Sequence, residues 1–152
     1  MRVLIDGDGC PGKIKELLFR AAEKRGVEVL LVANRPLAVP RHARIRSVVV
    51  GQGLDVADDW LVQNVAAGEL VITSDVPLAA QLVEKGATAL SPRGELFTAE
   101  NVGERLSLRD FFTEARASDV GVGGGPPPLD DKAVRRFANA FDTWLSRASR
   151  GG

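Results

Sequence analysis

Two hydrophobic periods alternate along this chain. A short apolar run, Val3-Leu4-Ile5, ends at a turn signal and reads as a buried strand. Ile14, Leu17, Leu18, Ala21 and Ala22 then recur at helical spacing over 13–25, and Gly26 stands where a helix C-terminus places glycine. Residues 27–33 are apolar apart from Glu28, as expected of a strand covered on both faces, and Asn34-Arg35-Pro36 breaks the run. A Val-rich third strand is predicted over 46–50. After Gly51-Gln52-Gly53 and an acidic segment, a helix carries Trp60, Leu61, Val62, Val65 and Ala66 and closes near Gly68. A fourth strand covers 70–73. Pro77 sits in the first turn of the next helix, where its missing N–H costs little, and that helix runs to Gly86. A brief fifth strand covers 88–90. Two shorter helical stretches are expected near 100–105 and 108–117, the second capped by Ser107. Asp130 opens a last helix with Val134, Phe137, Phe141, Trp144 and Leu145 on one face, a docking stripe for the domain or a second subunit.

Strands alternating with helices imply βαβ units. The expected fold is therefore a three-layer α/β/α sandwich with a mainly parallel five-stranded sheet, plus the C-terminal helix. Its divisions are an α/β domain over 1–118, a Gly/Pro linker over 119–129 and the amphipathic helix over 130–149. The 152 residues suffice for one domain with a real core. Twenty basic and twenty acidic residues cancel, so total charge selects no partner and only local clustering counts. The single cysteine, Cys10, excludes an internal disulfide framework and is read as a small packing residue. No apolar run approaches the roughly 18 residues of a membrane span, and the opening apolar stretch is too short for a signal peptide. The expectation is a cytoplasmic protein with no membrane association.

The acidic residues carry the chemistry. Asp6 and Asp8 follow strand one, Asp75 follows strand four, and Asp58 opens the helix leading into strand four. In a parallel sheet these all fall at the carboxyl edge, because a crossover helix begins where the previous strand ends. Carboxylates gathered there would repel by about 4 kcal/mol per pair at about 4 Å and an effective dielectric of about 20. A divalent cation relieves this, and Mg²⁺ or Mn²⁺ suits oxygen donors. The site expected from Asp6, Asp8, Asp58 and Asp75 is thus a metal centre for phosphodiester hydrolysis, with Thr73 and Ser74 supporting it. Each Asp also has a simpler reading as a turn or cap residue, above all Asp8 and Asp75. Asp55 and Asp59 read as solvated or capping residues. The densest basic cluster, from Arg35 through Arg41, His42 and Arg44 to Arg46, starts at the end of strand two. Asn34, Arg35, Arg41, Arg44 and Arg93 are the candidate phosphate contacts.

Two strings mislead. Gly7-Asp8-Gly9-Cys10-Pro11-Gly12 matches G-x-G-x-x-G, but an acid inside the loop and Asn34 at the end of strand two do not suit a dinucleotide. Asp6-Gly7-Asp8 is similar to the D-x-D loop of haloacid-dehalogenase-type phosphatases, yet the acidic pair Asp58-Asp59 precedes Thr73 rather than following it.

Several stretches together resemble the bacterial YaiI/YqxD family: Ile5-Asp6-Gly7-Asp8-Gly9-Cys10-Pro11, Leu30-Leu31-Val32-Ala33-Asn34, Gly53-Leu54-Asp55-Val56-Ala57-Asp58, Thr73-Ser74-Asp75-Val76-Pro77 and Ser91-Pro92-Arg93-Gly94-Glu95. That family looks related to PIN-like nucleases, which hold Mg²⁺ or Mn²⁺ with clustered acids. The resemblance matches Asp6 to the acid ending the first PIN strand, Asp58 to the acid opening the helix before strand four, and Asp75 to the T-x-D acid. Asp8 is an additional acid, and the mid-domain Glu of PIN toxins has no counterpart. The implied activity is a nuclease acting on RNA. The rival expectation is a nucleic-acid-binding protein that keeps the fold without cleaving.

Overall fold

The strand that starts the chain lies inside the sheet. In the computed structural model, which describes residues 1–53, 55–104 and 129–151, β1 (Arg2–Asp6) pairs in parallel with β2 (Glu28–Ala33) on one side and β4 (Leu70–Ile72) on the other. β3 (Ile45–Val49) extends the sheet beyond β2, and β5 (Thr88–Leu90) extends it beyond β4. A two-residue strand, β6 (Leu96–Phe97), adds antiparallel to β5, giving the order β3-β2-β1-β4-β5-β6. The sheet therefore has six strands, one more than the pattern predicts. A two-residue strand is too short to show alternation. It is placed instead by the turn before it, where Ser91 N–H donates to Glu95 O at 2.9 Å and Gly94 N–H to Ser91 O at 2.9 Å.

Period-two alternation divides the core. Val3, Ile5, Val29, Leu31, Leu70, Ile72 and Leu90 face one layer, formed by α1 (Gly12–Arg25) and α5 (Asp131–Gly151). Leu4, Val32, Val71 and Ala89 face the other, with Leu61 of α2 (Val56–Asn64) and Leu78, Ala79 and Leu82 of α3 (Val76–Glu84). Helical residues 99–104, the α4 segment, add Val102 to that second layer. The apolar stripe of α5 is buried within the chain's own fold: Phe137, Phe141 and Leu145 are almost fully covered and pack with α1. Asp130 caps this helix, its Oδ1 accepting from Ala133 N–H at 2.8 Å. The stretch predicted as helix over 108–117, its Ser107 cap and the predicted linker over 119–129, apart from Leu129, fall outside the described residues. No helix among the described residues is long and apolar enough to cross a membrane.

Gly94 shows how closely α5 is seated. Its φ is +86°, and a Cβ built there would lie 2.6 Å from the carbonyl carbon of Arg136 in α5. Only glycine serves at such a position, since left-handed strain and steric overlap would add. Gly94→Ala is expected to lose about 2 kcal/mol or more of stability, read from urea unfolding, by forcing the hairpin off α5. Gly12→Ala, at the first position of α1 with nothing within 4 Å of the added methyl, is expected to gain about 0.4–1 kcal/mol instead. Equal midpoints for the two variants would show that α5 is not held against the hairpin.

Candidate functional site

Strand order reverses between β1 and β4, so the loops leaving their carboxyl ends part there and open a crevice. Asp6 is the last residue of β1. Beyond the paired Ile5 and Ile72, the next residues on the two strands are Asp6 and Thr73, and the buried Thr73 hydroxyl donates to Asp6 Oδ2 at 3.1 Å. The same hydroxyl accepts from Asp75 N–H at 3.1 Å. Thr73 therefore orients Asp6 and fixes the turn that carries Asp75. Asp75 is the N-cap of α3, its Oδ1 accepting from Leu78 N–H at 3.0 Å. The capping reading is correct for Asp75, and its other carboxylate oxygen remains for a second role. Asp6 precedes the 3₁₀ turn Gly7–Gly9 but makes no side-chain cap.

Gly7 lets that turn press on β2: an added Cβ would come within 2.9 Å of Leu31 Cδ1 and of the Val32 carbonyl oxygen. The turn carries Asp8 out to the surface, where its Oδ1 lies 4.0 Å from Arg35 Nε. Asp58 sits in the first turn of α2, which starts at the carboxyl edge as a crossover helix must. Asp58, Asp59, Asp55 and Asp75 share a cleft of about 300 Å³ with Pro77 and Gln81. Asp55 precedes α2 at φ 65°, exposed and without a side-chain cap hydrogen bond, so of its two expected readings the solvated one fits.

The acids sense one another. The Asp6 carboxyl is raised above its ordinary value, first by burial and then by the charges of Asp75 and Asp8, while the Thr73 hydroxyl opposes the shift. The Asp58 carboxyl is pushed up to about 6, again first by burial, then by Asp75, Asp6, Asp55 and Asp59. Asp6, Asp58 and Asp75 thus form one electrostatic group, with Asp8 and Asp55 at its margins. Among the described residues, no three His, Cys, Asp or Glu side chains stand together in position to hold an ion. The donor chemistry still suits Mg²⁺, which keeps several waters and takes one or two carboxylates plus substrate oxygens rather than a full protein cage. Cys10 is inert by comparison: burial pushes its thiol up to about 12.

The basic cluster does not stay together. Arg35 and Asn34 lie at the carboxyl edge, just after β2. β3 runs parallel to β2, so the chain between them must return to the amino edge before β3 can start. Arg44, whose carbonyl accepts from Val29 N–H at 2.8 Å, ends that return and lies at the amino edge, away from the acids. Arg44 and Arg46 line a separate groove there with Arg2 and Trp60. The expectation of one phosphate grip running from Arg35 through Arg41 to Arg44 is corrected by this crossover. Arg93 instead lies on the acidic side, in the hairpin turn between β5 and β6. With Ser74, which is exposed, it lines a cleft of about 410 Å³ next to the acids. That cleft is absent from the sequence reading. Its walls come from four separate stretches, after β1, after β4, around the β5–β6 hairpin and just before α5, which only the folded sheet and the seating of α5 bring together.

This is a doubly wound α/β protein with an acid-lined crevice at its strand-order reversal. A sequence model of the Uncharacterized BCR, YaiI/YqxD family matches residues 4–147, and the chain belongs to that family. A UPF0178 protein of Thioalkalivibrio sulfidiphilus is 53% identical over 97% of this chain and 99% of its own length. One of Halorhodospira halophila is 53% identical over the whole of both chains. The crystal structure of Rae1 (YacP) from Bacillus subtilis (W164L mutant) covers 97% of this chain and 99% of its own, with 18% identity and a TM-score of 0.41. A likeness that distant transfers no chemistry.

The raised Asp58 pKa makes a stability prediction. Below about pH 4 Asp58 is protonated folded or unfolded. Between there and about pH 6 the unfolded chain has ionised it and the folded chain has not yet done so, so folding grows costlier as pH rises. Asp58→Asn is therefore expected to match the wild type near pH 4 and to exceed it in urea midpoint above about pH 6. Parallel midpoints across that range would remove the electrostatic coupling.

Proposed function

We propose that the acidic crevice takes Mg²⁺ or Mn²⁺ and that the protein is a PIN-like phosphodiesterase acting on RNA. The placing of Asp6, Asp58 and Asp75 at one sheet edge, where the Asp75 charge raises the cost of ionising both of the others, carries this reading. Bound there, the ion would supply a Lewis acid for an in-line displacement at phosphorus. The chain's own residues do the rest. Asp6, held by Thr73 Oγ1, and the uncapped oxygen of Asp75 are the direct donors. Asp58 faces them from α2 and holds the attacking water; Asp8 is a further donor at the rim. Arg35, Asn34 and Arg93 flank the crevice from two sides and would position a phosphate.

A second reading has one observation in its favour. The carboxylates are not assembled as a ready three-donor group among the described residues, as would suit a nucleic-acid-binding protein that does not cleave. The two separate on short single-stranded RNA with Mg²⁺ or Mn²⁺. Expected are cleavage, its loss on chelation, and a drop of at least about 100-fold for Asp6→Asn. Thr73→Val, which removes only the orienting hydroxyl, is expected to fall by about 10–100-fold. Mn²⁺ should also raise the melting temperature of the wild type and not of Asp6→Asn. Cleavage by Asp6→Asn at the wild-type rate would end the metal-site reading. Salt-sensitive binding with no cleavage would establish the second one.

A further inference from the structure

The larger cleft shares the β4–α3 turn with the acidic one: Ser74 lines the first and Asp75 the second. Its volume of about 410 Å³ lies in the lower part of the range for small-molecule sites, about 300–1,000 Å³. The lining is mostly apolar, from Pro11, Val76, Pro92, Phe97 and Leu129. Arg93 and Glu95 add one charge of each sign at the hairpin turn. Ser91 braces that turn, its Oγ accepting from Arg93 N–H at 3.2 Å and from Glu95 N–H at 3.1 Å. Gly94 fixes the turn against α5, and Leu129 closes the far wall from just before α5. The cleft is thus built from well-anchored parts.

An acidic edge alone would repel a nucleic acid and offers no surface for a base. An apolar-walled cleft of this size with a guanidinium in its lining suits one unstacked base, and a duplex keeps its bases stacked and inaccessible to such a cleft. We infer that this cleft, on the phosphodiesterase reading above, holds the single unpaired nucleoside adjoining the scissile phosphate and so selects single-stranded RNA. Arg93 and Glu95 meet the polar edge of the base, and the apolar wall takes its face.

Gly9 offers a clean test. It lines the cleft, its φ is not positive, and the nearest atom to an added Cβ is Ser74 Oγ at 3.7 Å, an ordinary contact. A large side chain there occupies the cleft without entering the core. Binding of adenosine 5′-monophosphate and uridine 5′-monophosphate to the full chain is measured by calorimetry without divalent cation, against ribose 5-phosphate and inorganic phosphate. The nucleotides are expected to bind about tenfold or more tighter than ribose 5-phosphate, the gain of a stacked base. Gly9→Trp is expected to lose that gain and Gly9→Ala to keep it. Ribose 5-phosphate binding equally well, or a folded Gly9→Trp binding nucleotide normally, overturns the assignment. Nuclear Overhauser contacts between base protons and the Phe97 ring give a check needing no variant, and their absence from the bound nucleotide also overturns it. RNA cleavage is followed in parallel. Nucleotide binding without cleavage refutes the phosphodiesterase and leaves the cleft, whereas equal cleavage of single-stranded and duplex RNA refutes the cleft alone.

Discussion

The pairing of β1 with β4 is the constraint from which the site follows. Once Val3, Leu4 and Ile5 are registered with Leu70, Val71 and Ile72, the next step along both strands sets Asp6 beside Thr73. The 3.1 Å hydrogen bond between them is the first contact past the end of the ladder. Everything acidic is arranged around that point. Asp75 is two residues further along the turn that Thr73 ties down. Asp58 arrives from α2, which must start at this edge because β3 ends there. A strand-order reversal leaves the loops no neighbour to cover them, so the crevice is a consequence of topology and needs no special loop.

The same geometry sets an electrostatic tension. Asp6 and Asp58 are each partly buried at an edge where charge is hard to hold; Asp75 raises the pKa of both, and Asp6 raises that of Asp58. Replacing an unpaired buried charge with a neutral residue usually stabilises a fold. Asp75 escapes the objection, since capping α3 gives it structural work. Asp6 and Asp58 make no cap. On the function proposed above, a bound cation would relieve that cost.

Much of this was legible in the residues. Parallel βαβ order, both core faces and the edge to which Asp6, Asp58 and Asp75 belong follow from period-two and helical alternation and from where a crossover helix must begin. What escaped has definite causes. β6 is two residues long and is created by the turn over Ser91 and Gly94, which pattern alone does not show. Arg35 and Arg44 are nine positions apart and read as one cluster, yet the segment between them is the return crossover from β2 to β3. Proximity in sequence reverses to opposite edges whenever a parallel connection lies between. Asp8 and Arg35 show the converse, distant in sequence and 4.0 Å apart at the surface.

The C-terminal helix ties these levels together. Phe137, Phe141 and Leu145 supply a large share of one core layer, and burying a Phe or Leu contributes about 1.5–3 kcal/mol. Seating that helix brings the Arg136 backbone against Gly94 and Leu129 to the wall of the larger cleft. The hairpin turn that carries Arg93 is therefore braced from behind by α5 and from within by Ser91 Oγ. A side chain on such a turn loses less entropy on meeting a ligand than one on an open loop. The last helix, remote from every acid in sequence, thus acts on the crevice by stiffening one of its walls.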